Sequence, residues 1–137
     1  MNRHRVLIID DEPGVRRTLE RALRGHHFEV VSVGDPNSAY QVLGETHFDV
    51  VLLDLRLPQI SGDTFFLAII RKWPRLLGRV ILMTGDLLPR QPDWPIELAG
   101  CPVLNKPFSL DTLTATVSGV LAEFEPHSDI REGNGNP

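Results

Sequence analysis

Five short runs of branched apolar residues recur along the chain, and they constrain the fold more than any other feature. They are Val6–Ile9, Phe28–Val33, Val50–Leu53, Val80–Met83 and Pro102–Leu104. Each is too short for a buried helix, and most do not alternate apolar with polar residues. That is the pattern of strands covered on both faces of a parallel sheet. The stretches between carry helical signals. Pro13 follows Asp11-Glu12 as a first-turn proline, and Val15, Leu19, Ala22 and Leu23 form an apolar stripe that Gly25 ends. Asp35-Pro36 opens a second helix that runs to about Glu45. A third runs from Ser61 to Trp73 and stops at Pro74. Ser109 caps a last helix with Leu110, Leu113, Val117, Val120, Leu121 and Phe124 on one face.

One connection breaks the rhythm. Between Leu87 and Pro95 stand Pro89, Pro92 and Pro95, each removing a helical hydrogen bond. A turn or two of helix around Pro95 to Ala99 is all that fits there, and Trp94 is read as packing this loop onto the body. The polar segment 125–137 is expected to be a disordered tail. Strand and helix alternating five times predict one open α/β domain with helices on both faces and right-handed crossovers. In such sheets, ligands sit outside the carboxyl ends of the strands.

Composition narrows the function. With 42% hydrophobic and 23% charged residues, the bulk of the chain is neither disordered nor low-complexity. The single Cys101 excludes an internal disulfide framework and points to a reducing compartment. No apolar run approaches the roughly 18 residues that span a bilayer, and Val6–Ile9 is too short for a signal-peptide core. The net charge of -4 argues against phosphate-backbone binding as the main job. The expectation is a cytoplasmic chain with no direct nucleic-acid or membrane partner.

The strand ends carry the chemistry. The first strand ends in Asp10-Asp11-Glu12, the third in Asp54, the fourth in Thr84-Gly85 and the fifth in Lys106-Pro107. Any one of these is unremarkable as a turn or helix-start residue. Jointly, in a parallel sheet, they converge on one edge. Clustered carboxylates repel one another, and a hard divalent cation such as Mg²⁺ relieves this with oxygen ligands and retained waters. Such a cation and Lys106 would neutralise a phosphoryl group arriving at a nucleophilic carboxylate. No G-x-x-x-x-G-K-[ST] segment indicates a nucleotide cradle. His26-His27 and His47 lack the partner pattern of a zinc site.

These motifs place the chain beside a known family. Asp10-Asp11-Glu12-Pro13, Asp54-Leu55-Arg56-Leu57-Pro58 with Gly62, Thr84-Gly85 and Lys106-Pro107-Phe108 resemble the receiver domain of two-component response regulators. The resemblance covers about residues 4–124. It implies a flavodoxin-like (βα)5 fold, a doubly wound five-stranded parallel sheet of order 2-1-3-4-5, here with a shortened or missing fourth helix. It implies that Asp54 accepts a phosphoryl group from a phosphohistidine on a histidine kinase or histidine phosphotransfer domain. Mg²⁺ would be held by the carboxylates of Asp11 and Asp54 and the carbonyl of Arg56, with Asp10 acting through a water. Lys106 and Thr84 would contact the phosphoryl oxygens, and the Lys106-Pro107 bond would be cis.

The chain also departs from that family. The aromatic switch residue three positions before the lysine is here Val103, which cannot swing between buried and exposed states. The proline-rich loop replaces most of the fourth helix, a usual part of the dimerisation and output face, so the oligomeric state is left open. Arg56 and Asp86 each lie two residues after a site residue and could pair across its mouth, hindering the water that hydrolyses the phosphoryl group. Arg16, Arg17, Arg21 and Arg24 read as a solvated basic face balanced by Glu12 and Glu20, with a docking surface for an acidic helical bundle as the functional alternative. The resulting reading is a phosphoacceptor signalling domain with only self-phosphorylation and self-dephosphorylation chemistry. It stands alone or belongs to a larger protein such as a hybrid sensor kinase. The alternative is a phosphorylation-independent interaction module with a receiver fold. A phosphatase of the haloacid dehalogenase type is disfavoured, because Arg56 stands where its second aspartate would be.

Overall fold

The computed structural model describes residues 3–85 and 96–125 of the 137. In chain order the elements are β1 (Arg5–Ile9), α1 (Pro13–Gly25), β2 (Glu29–Val33), α2 (Pro36–Glu45), β3 (Val50–Asp54), α3 (Gly62–Lys72), β4 (Val80–Thr84), α4 (Ile96–Ala99), β5 (Val103–Asn105) and α5 (Leu110–Phe124). A 3-10 turn at Pro74–Leu76 joins α3 to β4. The five strands form one parallel sheet of order β2-β1-β3-β4-β5. The flavodoxin-like expectation therefore holds.

Both faces of the sheet are covered, which is why the runs do not alternate. Val6 and Ile8, Val50 and Leu52, and Ile81 and Met83 point to one face and pack with Leu19 and Leu23 of α1 and Leu113, Val117 and Leu121 of α5. Leu7 and Ile9, Val51 and Leu53, and Val80 and Leu82 point to the other. There they meet Ala39 and Leu43 of α2, Phe65, Phe66 and Ile69 of α3, and Leu98 of α4. Each such side chain contributes about 1.5–3 kcal/mol on burial, so the central strands form a stiff floor beneath their own carboxyl ends.

The caps follow the sequence at two helices. Asp35 accepts from the Ser38 amide at 2.8 Å, and Ser109 accepts from the Thr112 amide at 3.0 Å. Other details differ from expectation. Helix α1 does end at Gly25, but the left-handed residue that closes it is His27 (φ 68°), reached through hydrogen bonds from the His26, His27 and Phe28 amides back to Leu23 and Arg24. In α3, Ser61 and Trp73 are the flanking cap residues rather than helical ones. The apolar stripe of α5 is narrower than predicted. Leu113, Val117, Val120 and Leu121 are buried, whereas Leu110 is 47% and Phe124 41% exposed. Leu110 is the first residue of the helix. Phe124, in the last turn, lies 3.7 Å from the Arg79 guanidinium. Asp86, Trp94, the three loop prolines and residues 126–137 lie outside the described residues, so the expected Arg56–Asp86 pair and the tail do too.

Candidate functional site

Strand register builds the site. Ile9 is paired with Leu53 across β1 and β3, so Asp10 and Asp54 follow as neighbours just beyond the last paired residues. Asp54 faces Met83 of β4, and Thr84 faces Asn105 of β5, which brings Lys106 in behind Thr84. The Lys106 amide donates to the Thr84 carbonyl at 2.6 Å, and the Lys106-Pro107 bond is cis. The Asp10 amide donates to the Val33 carbonyl at 3.1 Å, tying the acidic end of β1 to β2.

Asp10, Asp54 and Thr84 are the buried polar residues of the described chain. The Lys106 Nζ donates to Asp10 Oδ2 at 2.7 Å and to Asp54 Oδ2 at 3.3 Å, with Glu12 Oε1 at 3.8 Å. The remaining carboxylate oxygens meet backbone. Asp10 Oδ1 accepts from the Glu12 amide, and Asp54 Oδ1 from the Arg56 amide, each at 2.9 Å. These bonds curl the chain sharply after each strand and hold both carboxylates in one orientation. Asp11 stands exposed beside them. One oxygen from each of Asp10, Asp11 and Asp54 lies within 4.8 Å of the others, a spacing that one cation could bridge. An all-oxygen set with one exposed member fits a hard divalent ion that keeps some of its waters. Asp11, Glu12, Asp54, Arg56, Gly85 and Lys106 line an open depression of about 270 Å³ over this cluster.

Burial and charge set the protonation of the cluster. Burial raises the Asp54 pKa above the ordinary carboxylate value, and the charge of Asp10 adds to this. The Arg56 amide and the Lys106 ammonium oppose the shift without cancelling it. Burial works against the Lys106 ammonium, but hydrogen bonds and charge from Asp10 and Asp54 outweigh it and raise the Lys106 pKa. The lysine therefore stays charged and serves as the fixed counter-ion of the carboxylates.

The sequence-predicted residues fall as follows. Asp10, Asp11, Asp54, Thr84 and Lys106 share the carboxyl edge of the sheet. Arg56 is exposed at the rim, where it forms a single antiparallel bridge with Ser61. Val103 is half-buried in β5 and packs against the core on the α2–α4 side. Arg17, Arg21 and Arg24 of α1 are exposed, as the solvated-face reading expects, and Arg16 is half-buried. Arg24 reaches Glu20 and the Val30 carbonyl, and Arg16 Nη1 donates to the Asp10 carbonyl at 2.7 Å. Arg16 was read only as part of that solvated face, and its inward contact was missed. Its only signal was a position six residues after a strand-end acid.

The geometry agrees with the comparisons. A family model described as Response regulator receiver domain matches residues 6–118, and the chain belongs to that family. It is 31% identical over 131 residues to the regulatory protein AtoC of Escherichia coli, covering 93% of this chain and 27% of that protein. It is likewise 31% identical over 132 residues to the response regulator protein PilR of Pseudomonas aeruginosa, covering 94% of this chain and 28% of that one. The chain thus spans little more than a quarter of either relative. Among solved structures, the chemotaxis protein CheY4 of Vibrio cholerae superposes with a TM-score of 0.80 at 24% identity, over 88% of this chain and all of that one. The response regulator TrrA of Thermotoga maritima, solved in complex with Mg²⁺-BeF, superposes with a TM-score of 0.72 at 27% identity, over 86% and 99% of the two chains. Receiver domains are signalling domains. No described helix is long and apolar enough to cross a membrane.

Proposed function

We propose that the chain is a phosphoacceptor that takes a phosphoryl group onto Asp54 from a phosphohistidine of a histidine kinase or histidine phosphotransfer domain. The observation that carries this reading is the placement of Asp54. It ends a central strand, is buried, has a raised pKa, and lies 3.3 Å from a lysine ammonium and within bridging distance of two further carboxylates. A buried carboxylate with a raised pKa is a better nucleophile than a solvated one. An Asp54 oxygen attacks phosphorus as the phosphorus–imidazole bond breaks, and the electron pair of that bond leaves on the histidine nitrogen. Asp11, Asp54 and the Arg56 carbonyl would hold Mg²⁺, with Asp10 acting through a water. When bound, the ion supplies positive charge against the phosphoryl oxygens. Lys106 supplies a second positive charge from its pre-set position. Thr84 offers a hydroxyl at the adjacent strand end. That the similar TrrA was solved in complex with Mg²⁺-BeF supports a Mg²⁺-dependent reading here.

Intact mass after incubation with acetyl phosphate tests the reading. A gain of about 80 Da, the mass of one phosphoryl group, is expected in wild type with Mg²⁺ and not without it, and not in Asp54→Ala. No gain in wild type, with no Mg²⁺ binding, would instead favour an interaction module that uses the fold without the chemistry.

A further inference from the structure

We propose that Arg16 is a positioning residue for the acidic edge, and that Gly34 is the socket in which it works. The inference rests on the phosphoacceptor reading. Arg16 lies in the first turns of α1, half-buried, and its Nη1 donates to the Asp10 carbonyl at 2.7 Å. That carbonyl belongs to the peptide joining Asp10 to Asp11. Fixing its plane fixes the direction in which both side chains leave the backbone. Asp10 has other restraints, since its carboxylate is held by Lys106 and the Glu12 amide. Asp11 is exposed, and among the described residues no hydrogen bond is shown to its carboxylate, so its aim depends on that peptide plane.

Gly34 makes room for this contact. A Cβ at position 34 would lie 2.8 Å from Arg16 Nη1, 3.4 Å from Cζ and 3.7 Å from Nη2. The guanidinium therefore fills the space that a side chain at the end of β2 would take. Gly34 does not have a positive φ, so its backbone accepts alanine. The clash meets only the tip of a flexible side chain. Gly34→Ala should push the guanidinium off the Asp10 carbonyl while keeping its charge and sparing the fold. Arg16 thus acts as a brace between α1, the turn after β1 and the turn after β2, with Asp35 of the last turn also feeling its charge.

The test compares Arg16→Ala, Gly34→Ala and the double variant. Mg²⁺ titration followed by amide NMR shifts, without a phosphodonor, reads the cation site directly. Half-saturation is expected to move about tenfold higher in each single variant, the scale on which outer-shell partners tune metal sites. The double variant should be no worse than either single one, because both remove the same contact. Saturating Mg²⁺ should return the acetyl phosphate reaction close to the wild-type rate. Unchanged half-saturation in both single variants overturns the proposal. An effect in Arg16→Ala alone also overturns it, since the charge and not the position would then be responsible. If wild type binds no Mg²⁺, the phosphoacceptor reading fails separately, and the brace is judged on metal-free protein. There, faster hydrogen exchange at the Glu12 amide is expected in both single variants, and unchanged exchange overturns it.

Discussion

At the carboxyl edge of the sheet, Lys106 stands 2.7 Å from Asp10 and 3.3 Å from Asp54, and its side chain is only 19% exposed. At the opposite edge Arg5 stands 3.1 Å from Glu29, and both side chains are about half exposed. His4 lies 3.7 Å from Asp49 nearby. The pairs have similar geometry and opposite consequences. Water screens the lower pairs, so they contribute little to stability and are free to vary. The upper cluster is mostly buried, so each charge there depends on the others. Keeping such a group buried works against stability, and the burial that raises the Asp54 pKa is part of that cost.

The largest break in this contrast should come from Lys106→Ala. It leaves Asp10 and Asp54 buried side by side without their counter-ion. Removing one member of a buried ion group costs about 3 kcal/mol, which thermal melting without divalent ions will show. Loss of a pre-set charge at the reacting group should also slow acetyl phosphate uptake about a hundredfold. Added Mg²⁺ should return part of the lost stability, because it replaces positive charge on the same carboxylates. A variant as stable as wild type in chelator would show that the cluster is better hydrated than the geometry indicates.

Gly62→Ala should come next. It leaves every charge in place and disturbs the loop that carries Arg56. A Cβ at position 62 would lie 2.6 Å from Leu55 Cα and 2.8 Å from the Leu55 carbonyl oxygen. Backbone cannot swing aside as the Arg16 guanidinium can. A cost of about 2 kcal/mol is expected from the forced shift, with slower phosphorylation because the Arg56 amide is displaced from Asp54. Gly34→Ala should be far milder in melting temperature. A comparison of the two alanines therefore separates a backbone clash from a side-chain one.

Much of this was legible in the sequence because it is local or periodic. The five apolar runs gave the strands, Asp35 and Ser109 gave their helix starts, and strand ends in a parallel sheet must share an edge. Asp10, Asp11, Asp54, Thr84 and Lys106 followed from that topology alone. What was not legible depends on reach across the fold. Nothing in the α1 sequence says that Arg16 turns back to a carbonyl while Arg17 does not. Nor could a helical stripe show that Phe124 lies against Arg79, or that the turn after Gly25 takes its left-handed residue at His27. Those outcomes are set by crossover lengths and by the space that neighbours leave.

Asp54→Asn should shift stability the other way. The folded-state pKa of Asp54 is raised, so its proton is bound more tightly folded than unfolded. The stabilisation from that proton is complete below the ordinary value of 3.8 and is lost as pH rises through the raised folded value. At neutral pH the ionised carboxylate is therefore a burden. Asparagine removes it without orphaning Lys106, which keeps Asp10 at 2.7 Å and Glu12 at 3.8 Å. A gain of about 1 kcal/mol is expected at pH 7 without divalent ions, the low end for neutralising a buried charge. It should fade on acidification. A variant less stable than wild type at pH 7 would show that Asp54 is held by favourable bonds rather than against burial.

The smallest effect sharpens the other side of the contrast. Arg5→Ala deletes the Nε bond to Glu29 but keeps the backbone bond from the Arg5 amide to Asp49 at 2.8 Å. An exposed pair of this kind is worth about 0.5 kcal/mol or less, and salt screens it further. The melting point should therefore fall by a degree or two at low ionic strength and hardly at all in molar salt. Phosphorylation should stay at the wild-type rate, because the altered pair lies at the far end of the strands from Asp54. A loss that persists in high salt would locate the contribution in the packing of the Arg5 stem rather than in its charge. The two edges would then differ less in electrostatics than their exposures suggest.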